Sequence, residues 1–251
     1  MKLNVKNDEV VFGTNILKVR VPKALRNKFK SGLDFVDCAL GGEGFTPSQV
    51  LLFTGTPGAG KTTMMLTLAD QITKTGGLVV FNTAEESLFQ VKLIAERLGL
   101  KSGFAVGQET HVPSLLEACD KLRAKRGNKN KPFFLIVDSL QCMDDGKYAN
   151  GSVNSQSATR ALALITDYCK EQFTNAIVIG QVNKEGKMAG SNKLKHMVDA
   201  MITLSVEEKD PDLRGCRVLQ TVKNRFGGCG HTFFLALNGK GFTEVARVSA
   251  A

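Results

Sequence analysis

Val50-Leu51-Leu52-Phe53-Thr54-Gly55-Thr56-Pro57-Gly58-Ala59-Gly60-Lys61-Thr62 is the stretch from which the fold is read. Its first five residues are an apolar run that ends on glycine, the pattern of a buried strand. Gly55 to Thr62 then fit G-x-x-x-x-G-K-[ST] without a gap. From Thr62 to Lys74 the apolar residues Met64, Met65, Leu68 and Ile72 follow at helical spacing. Strand, glycine loop and helix in that order are the context a phosphate-binding loop requires. The glycines let backbone N–H groups turn inward on phosphates, and the start of the helix adds the positive end of its dipole. The reading assigns Gly55, Thr56, Pro57, Gly58, Ala59, Gly60, Lys61, Thr62 and Thr63 to binding of ATP, with Lys61 on the β- and γ-phosphates and the Thr62 hydroxyl on Mg²⁺.

Working outward, the same strand-then-helix alternation recurs. Leu78 to Phe81 reads as a strand, Leu88 to Leu98 as a helix, Phe104 to Val106 as a weaker strand and Val112 to Lys125 as a helix. Phe133 to Val137 and Ala176 to Ile179 are continuous apolar runs on either side of a helix over Ala158 to Gln172. Apolarity without alternation marks a parallel sheet covered on both faces. From Ala200 the helices stop, and Met201–Val206, Cys216–Val222, His231–Leu237 and Phe242–Val248 read as antiparallel strands, with turns at Asp210-Pro211 and Asn238-Gly239. The fold class is therefore α/β, a mostly parallel central sheet extended by antiparallel C-terminal strands. Met143 to Asn154 and Val182 to Lys193 read as long loops, which in a domain of this kind are functional or disordered. Residues 1–30 form a basic arm or linker in which Pro22 opens a short helix, and residues 31–251 form the domain.

A chain of 251 residues, 43% hydrophobic, suits one large core with small additions. The net charge of +9 fits contact with a polyanion and is also met in ordinary basic proteins. Six cysteines are scattered without a CxxC pair and no secretory signal precedes them, which points to reduced thiols in a cytosol-like compartment. No apolar stretch approaches the ~20 residues a membrane span needs, so no membrane partner is expected.

Two acidic positions complete the site. Phe133 to Val137 ends in Asp138, a carboxylate at the strand edge where open α/β sheets bind nucleotides. Beside a phosphate loop it is read as the second Mg²⁺ residue rather than a helix cap. Glu85 and Glu86 follow the second strand at the same edge, and one of them is the carboxylate that orients and deprotonates water. The other is a first-turn acid favoured by a helix dipole.

Taken together, these motifs resemble the RecA superfamily, and specifically the ATPase core of the bacterial RadA/Sms branch-migration proteins, over roughly Phe29 to Gly228. The resemblance is carried by Ser31-Gly32-Leu33-Asp34 with Leu40-Gly41-Gly42, by Ala84-Glu85-Glu86-Ser87, by Val182-Asn183-Lys184-Glu185-Gly186, by His196-Met197-Val198-Asp199 and, most specifically, by Lys223-Asn224-Arg225-Phe226-Gly227. It implies a RecA-like P-loop NTPase core in which Glu85 is the catalytic glutamate and Glu86 a supporting acid. Gln181 stands where RecA-type proteins keep a polar γ-phosphate sensor; RadA proteins often have His there. Lys223 and Arg225 correspond to a K-x-R pair that in related hexameric helicases reaches across the subunit interface. Their alternative is a pair of edge-strand charges that discourage aggregation.

By the same resemblance the two long loops face DNA in a central channel, with Lys147, Lys184, Lys187 and Lys193 as phosphate contacts and Tyr148 as a stacking residue. The basic run Lys121 to Lys131 reads as a solvated helix end. The family's N-terminal four-cysteine zinc module and C-terminal Lon-protease-like domain have no counterpart in these residues, so a minimal motor core of the kind a compact phage genome would encode is expected. The implied function is a DNA-dependent ATPase of recombination or repair. It would act on single-stranded DNA or recombination intermediates by translocation, strand exchange or branch migration, as a homo-oligomer, hexameric ring or filament, in the cytoplasm of a bacterium or phage-infected host. A DnaB-type replicative helicase motor is the nearest alternative, although those carry a primase-binding N-terminal domain. A KaiC-like regulatory ATPase shares the paired glutamates, but such chains are typically duplicated. A small-molecule kinase would need a lid-like insertion that does not appear.

Overall fold

In the computed structural model, which describes residues 12–148, 151–154, 156–182 and 191–249, helix α1 (Asp34–Ala39) precedes strand β1 (Val50–Gly55) and helix α2 (Lys61–Lys74). Strand β2 (Leu78–Thr83), helix α3 (Leu88–Leu98), strand β3 (Ala105–Gly107), helix α4 (Val112–Arg123), strand β4 (Phe133–Asp138), helix α5 (Ser157–Gln172) and strand β5 (Asn175–Gln181) follow. Helix α6 (Ser191–Met197) then leads into strands β6 (Ala200–Val206), β7 (Arg217–Asn224), β8 (Thr232–Asn238) and β9 (Gly241–Val248). Among the described residues, these nine strands form one sheet in the order β3-β2-β4-β5-β1-β6-β7-β8-β9. The six from β3 to β6 are parallel, and β7, β8 and β9 are added antiparallel.

The unbroken apolarity of the central strands reflects burial on both faces. Leu51, Phe53, Phe134, Ile136, Ile177 and Ile179 point to one face and pack with α1 and α2. Val50, Leu52, Leu135, Val137, Ala176 and Val178 point to the other and pack with α4 and α5. Because side chains alternate along a strand, two consecutive apolar residues feed two separate cores. The helices start and stop on recognisable residues. Ser87 and Gln90 form a reciprocal capping box on α3, which ends on Gly99 in the left-handed conformation.

The sequence-based element boundaries differ from the observed ones by one or two residues over most of the chain. Three differences go further. Strand β6 is antiparallel to β7 but parallel to β1, so the sheet changes sense between β6 and β7 rather than at Ala200. Helices α1 and α6, of six and seven residues, were not expected, since so few turns do not establish a period. Ser191 therefore already belongs to a helix within the stretch read as a loop to Lys193, while 183–190 lie outside the described residues. The stretch from Met143 is irregular as expected, anchored by a bridge between His111 and Asp144. In the basic arm, Pro22 precedes a single 3₁₀ turn, Lys23–Leu25. Phe29 pairs with Phe45 and packs its ring 5.0 Å from that of Phe134, which ties the end of the arm to the core.

Candidate functional site

Strand register brings the candidate site residues to one edge of the sheet. Gly55 at the end of β1 stands beside Gln181 at the end of β5, and Thr83 at the end of β2 stands beside Asp138 at the end of β4. The backbone N–H of Ala84 donates to the Asp138 carbonyl at 2.6 Å, which holds the loop bearing Glu85 against β4. At that edge the Thr62 hydroxyl donates to Asp138 Oδ2 at 2.8 Å, and Lys61 Nζ donates to the Gly55 and Thr56 carbonyls at 3.0 and 3.2 Å. Burial pushes the Asp138 carboxyl up to about 6, opposed by the Thr62 hydrogen bond and reinforced by the Glu85 and Glu86 charges. Burial lowers the Lys61 ammonium, against the attraction of Asp138 and Glu85.

The loop between β1 and α2 has the conformation its glycines permit. Gly60, with φ +99, is the N-cap of α2, and a Cβ there would lie 3.0 Å from Leu237 and from Phe242 of the β8–β9 hairpin. A Cβ on Gly55 would collide with the Leu204 carbonyl oxygen of β6. Gly55 is required by that backbone contact, and Gly60 is favoured by its positive φ and close packing.

Glu85 is held by three side chains. Its Oε1 accepts from Gln181 Nε2 at 2.6 Å, from the Ser139 hydroxyl, and from the Cys142 thiol at 3.6 Å. Glu86 takes a different place: its backbone N–H donates to the Thr83 hydroxyl, which itself donates to the Glu86 carbonyl. The Glu85–Gln181 pairing was expected only as membership of one site. The contacts from Ser139 and Cys142 were missed, although Ser139 directly follows Asp138 and so had to lie at the strand end. Thr62 and Asp138 together present hard oxygen donors, a set that suits Mg²⁺.

Lys223 and Arg225 lie elsewhere. Asn224 pairs with Ala200, at the start of β6, and Ala200 pairs with Leu51. The Lys223–Arg225 segment is thus at the opposite end of the strands from Gly55, about 13 Å along them at about 3.3 Å per residue. Lys223 Nζ donates to the Lys195 and Val198 carbonyls at 2.8 and 2.7 Å, and Arg225 Nη2 donates to the His196 carbonyl at 3.1 Å. Arg225 also approaches Asp199 at 3.4 Å. Asp199 is buried and accepts from Lys170 at 2.5 Å and from the Val50 N–H at 3.0 Å.

Of the expected DNA contacts, Lys184 and Lys187 lie outside the described residues, and Lys193 is exposed on α6. Lys147 Nζ sits 5.5 Å from the Tyr148 ring centroid and the Arg160 guanidinium 5.8 Å, so the ring already carries two cations of its own chain. In the basic run at the end of α4, Arg123 is drawn inward. It lies over the Phe133 and Tyr168 rings and donates to Tyr168 and Gln172, a structural role rather than a solvated one.

No protein-family model matches the chain. The DNA repair protein RadA of Aquifex aeolicus is 32% identical over 221 residues, which are 88% of this chain and 47% of that protein. RadA of Haemophilus influenzae is 33% identical over 224 residues, 89% of this chain and 46% of that protein. The chain spans about half the length of these curated relatives. Among solved structures, one that is itself described as an ATPase domain superposes with a TM-score of 0.73 at 15% identity, covering 88% of this chain and 93% of that one. A DnaB-like replicative helicase superposes with a TM-score of 0.74 at 15% identity, covering 86% and 62%. At that identity the likeness speaks to the fold, which is that of a RecA-like ATPase core.

Proposed function

This chain resembles the RadA-like ATPase core of the RecA superfamily, and from that premise we propose that it hydrolyses ATP in a DNA-dependent manner during recombination or repair, at sites shared between identical subunits. The observation that carries the reading is the convergence of Lys61, Thr62, Asp138, Glu85 and Gln181 on the sheet edge that follows the phosphate loop. Gly55 to Thr63 cradle the triphosphate with backbone N–H groups, and Lys61 leaves its loop carbonyls for the β- and γ-phosphates. Thr62 and Asp138 would hold Mg²⁺, which would supply neutralisation of charge on the phosphate oxygens. Glu85 orients a water and takes its proton as the water oxygen attacks the γ-phosphorus. The bond from that phosphorus to the bridging oxygen breaks, and its electron pair leaves with ADP. Gln181 senses the γ-phosphate and passes its presence to the loop that follows β5.

Lys223 and Arg225 are too far along the strands to serve the phosphate loop of their own subunit. That placement supports the reading that they complete the site of a neighbour as a trans arginine finger and its lysine partner, in a ring or filament. Lys147, Lys184, Lys187 and Lys193 are assigned to single-stranded DNA on the strength of the resemblance and the relatives' naming as DNA repair proteins. A bacterial or phage-infected cytoplasm is the setting this function requires. No helix among the described residues is long and apolar enough to cross a membrane.

The decisive experiment is steady-state ATP hydrolysis with and without single-stranded DNA. DNA should stimulate the wild-type rate. Arg225→Ala should lose hydrolysis at least about 100-fold while still binding nucleotide, and mixing it with Glu85→Gln subunits should restore part of the rate. Activity indifferent to DNA, together with a fully active Arg225→Ala, would leave a regulatory ATPase with a self-contained site as the better description. The fold likeness to a DnaB-like helicase favours a second reading, a duplex-unwinding motor, which a forked-duplex unwinding assay separates.

A further inference from the structure

Among the described residues, three hydrogen-bond donors reach the Glu85 carboxylate, and all three fall on one oxygen, Oε1. If Glu85 is the general base, Oε2 is the oxygen that meets water, and whatever holds Oε1 aims the base. The three donors differ in how firmly they are themselves held. Gln181 is exposed at the very end of β5. In the reading above it is drawn to the γ-phosphate when ATP binds, so its hold on Glu85 ends when the base is needed. The Cys142 thiol is a weak donor at 3.6 Å, and burial together with the Glu85 charge pushes its pKa up, which keeps it a thiol.

Ser139 is different. It is fully buried, it follows the last residue of β4, and the Ala84 N–H to Asp138 carbonyl bond ties its backbone to the loop that carries Glu85. Its backbone is therefore fixed relative to the loop of Glu85 by the sheet ladder, and its hydroxyl is buried, whereas Gln181 is exposed at that edge. We propose that Ser139 is the positioning residue of the general base, retaining Glu85 Oε1 while Gln181 departs and keeping Oε2 on the attacking water. The inference rests on Glu85 being the base and Gln181 the sensor. It adds a division of labour, in which one donor reports the nucleotide and the other holds the carboxylate throughout.

The test is a double-mutant cycle between Ser139→Ala and Glu85→Gln, read as single-turnover ATP hydrolysis with enzyme in excess, alongside nucleotide affinity and melting temperature. Ser139→Ala alone should lower the hydrolysis rate about 10- to 100-fold, the range expected when a reacting group is misplaced, with ATP affinity and the Mg²⁺ concentration for half-maximal rate unchanged. In the Glu85→Gln background the same substitution should cause no further fall. Ser139→Cys, which keeps the shape and supplies only a weak S–H donor, should resemble Ser139→Ala, so that a packing defect in either variant is recognised by comparison. A wild-type rate in both Ser139 variants overturns the inference, as does an equal fall on top of Glu85→Gln. A Glu85→Gln enzyme that hydrolyses at the wild-type rate fails the general-base reading itself and takes this inference with it.

Discussion

Glu85 and Gln181 are 96 positions apart in the chain and 2.6 Å apart in space, and Thr62 meets Asp138 across 76 positions. What joins them is that each ends or follows a parallel strand. The sequence therefore placed these residues at one edge as soon as the strands were recognised, because strand ends of a parallel sheet share an edge. It could not show which oxygen of Glu85 is held, or that Ser139 holds it, since those depend on rotamers and on the β2–β4 register. Two predictions belong at this scale. Lys61→Ala should weaken ATP binding at least about 100-fold, roughly 3 kcal/mol, by calorimetric titration, with the fold intact. Asp138 should make stability depend on pH. Its carboxyl stays protonated up to about 6 in the folded chain, against an ordinary 3.8, so the folded state binds the extra proton between those values. Its contribution to stability is fully present below about pH 4 and is lost as pH rises through 6. In thermal melts of the metal-free protein, Asp138→Asn should therefore gain on the wild type as pH is raised from about 5 to about 8; an advantage that shrinks with pH would contradict the assignment.

Among the elements, α6 and the start of β6 form a junction that no local pattern announced. Asp199 links the first residue of β1, Lys170 of α5 and Arg225 after β7, while the C-terminal carbonyls of α6 accept from Lys223 and Arg225. Basic side chains at a helix C-terminus are favoured by the orphaned carbonyls there, so the K-x-R pair is oriented by α6 as much as by its own strand. Replacing Asp199 with Ala leaves the Val50 N–H without its buried acceptor and Lys170 with only the Ser48 carbonyl. Denaturant unfolding should show a loss of about 3 kcal/mol or more, and a loss below about 1 kcal/mol would mean the cluster is solvated after all. The β8–β9 hairpin packs on the loop between β1 and α2 at Gly60, which faces Leu237 and Phe242. Gly60→Ala should weaken ATP binding, measured by calorimetric titration, because the new Cβ is strained by the +99° backbone and presses on the hairpin. The missed helices α1 and α6 are short for the same reason they were missed. They are held by tertiary contacts, such as Leu194 and Val198 in the core beneath α5, rather than by a periodic face of their own.

Across the whole molecule, one twisted sheet separates two cores, and the aromatic group of Phe29, Phe45 and Phe134 closes one of them where the N-terminal arm enters. Phe134→Ala should cost about 3 to 5 kcal/mol in equilibrium unfolding without changing which nucleotides bind. The cysteines report the same architecture: burial pushes the Cys119 and Cys169 thiols up to about 12, whereas Cys229 is exposed. Alkylation near pH 8 should accordingly modify Cys229 in the native protein and reach Cys119 and Cys169 only on unfolding. By itself the sequence determined that this is an α/β chain with a glycine-rich loop between β1 and α2 and a carboxylate at the end of β4. Those properties are encoded in contiguous residues, through apolar runs, glycine placement and helical spacing. Only the tertiary structure decided that β6 lies parallel to β1, that Lys223 and Arg225 rest at the far end of the sheet from the glycine-rich loop between β1 and α2, and that Ser139 and Gln181 converge on one oxygen of Glu85. Those outcomes depend on which strands become neighbours and in what register. Such pairing is chosen by burying both faces of the sheet at once, and no local stretch of the chain contains it.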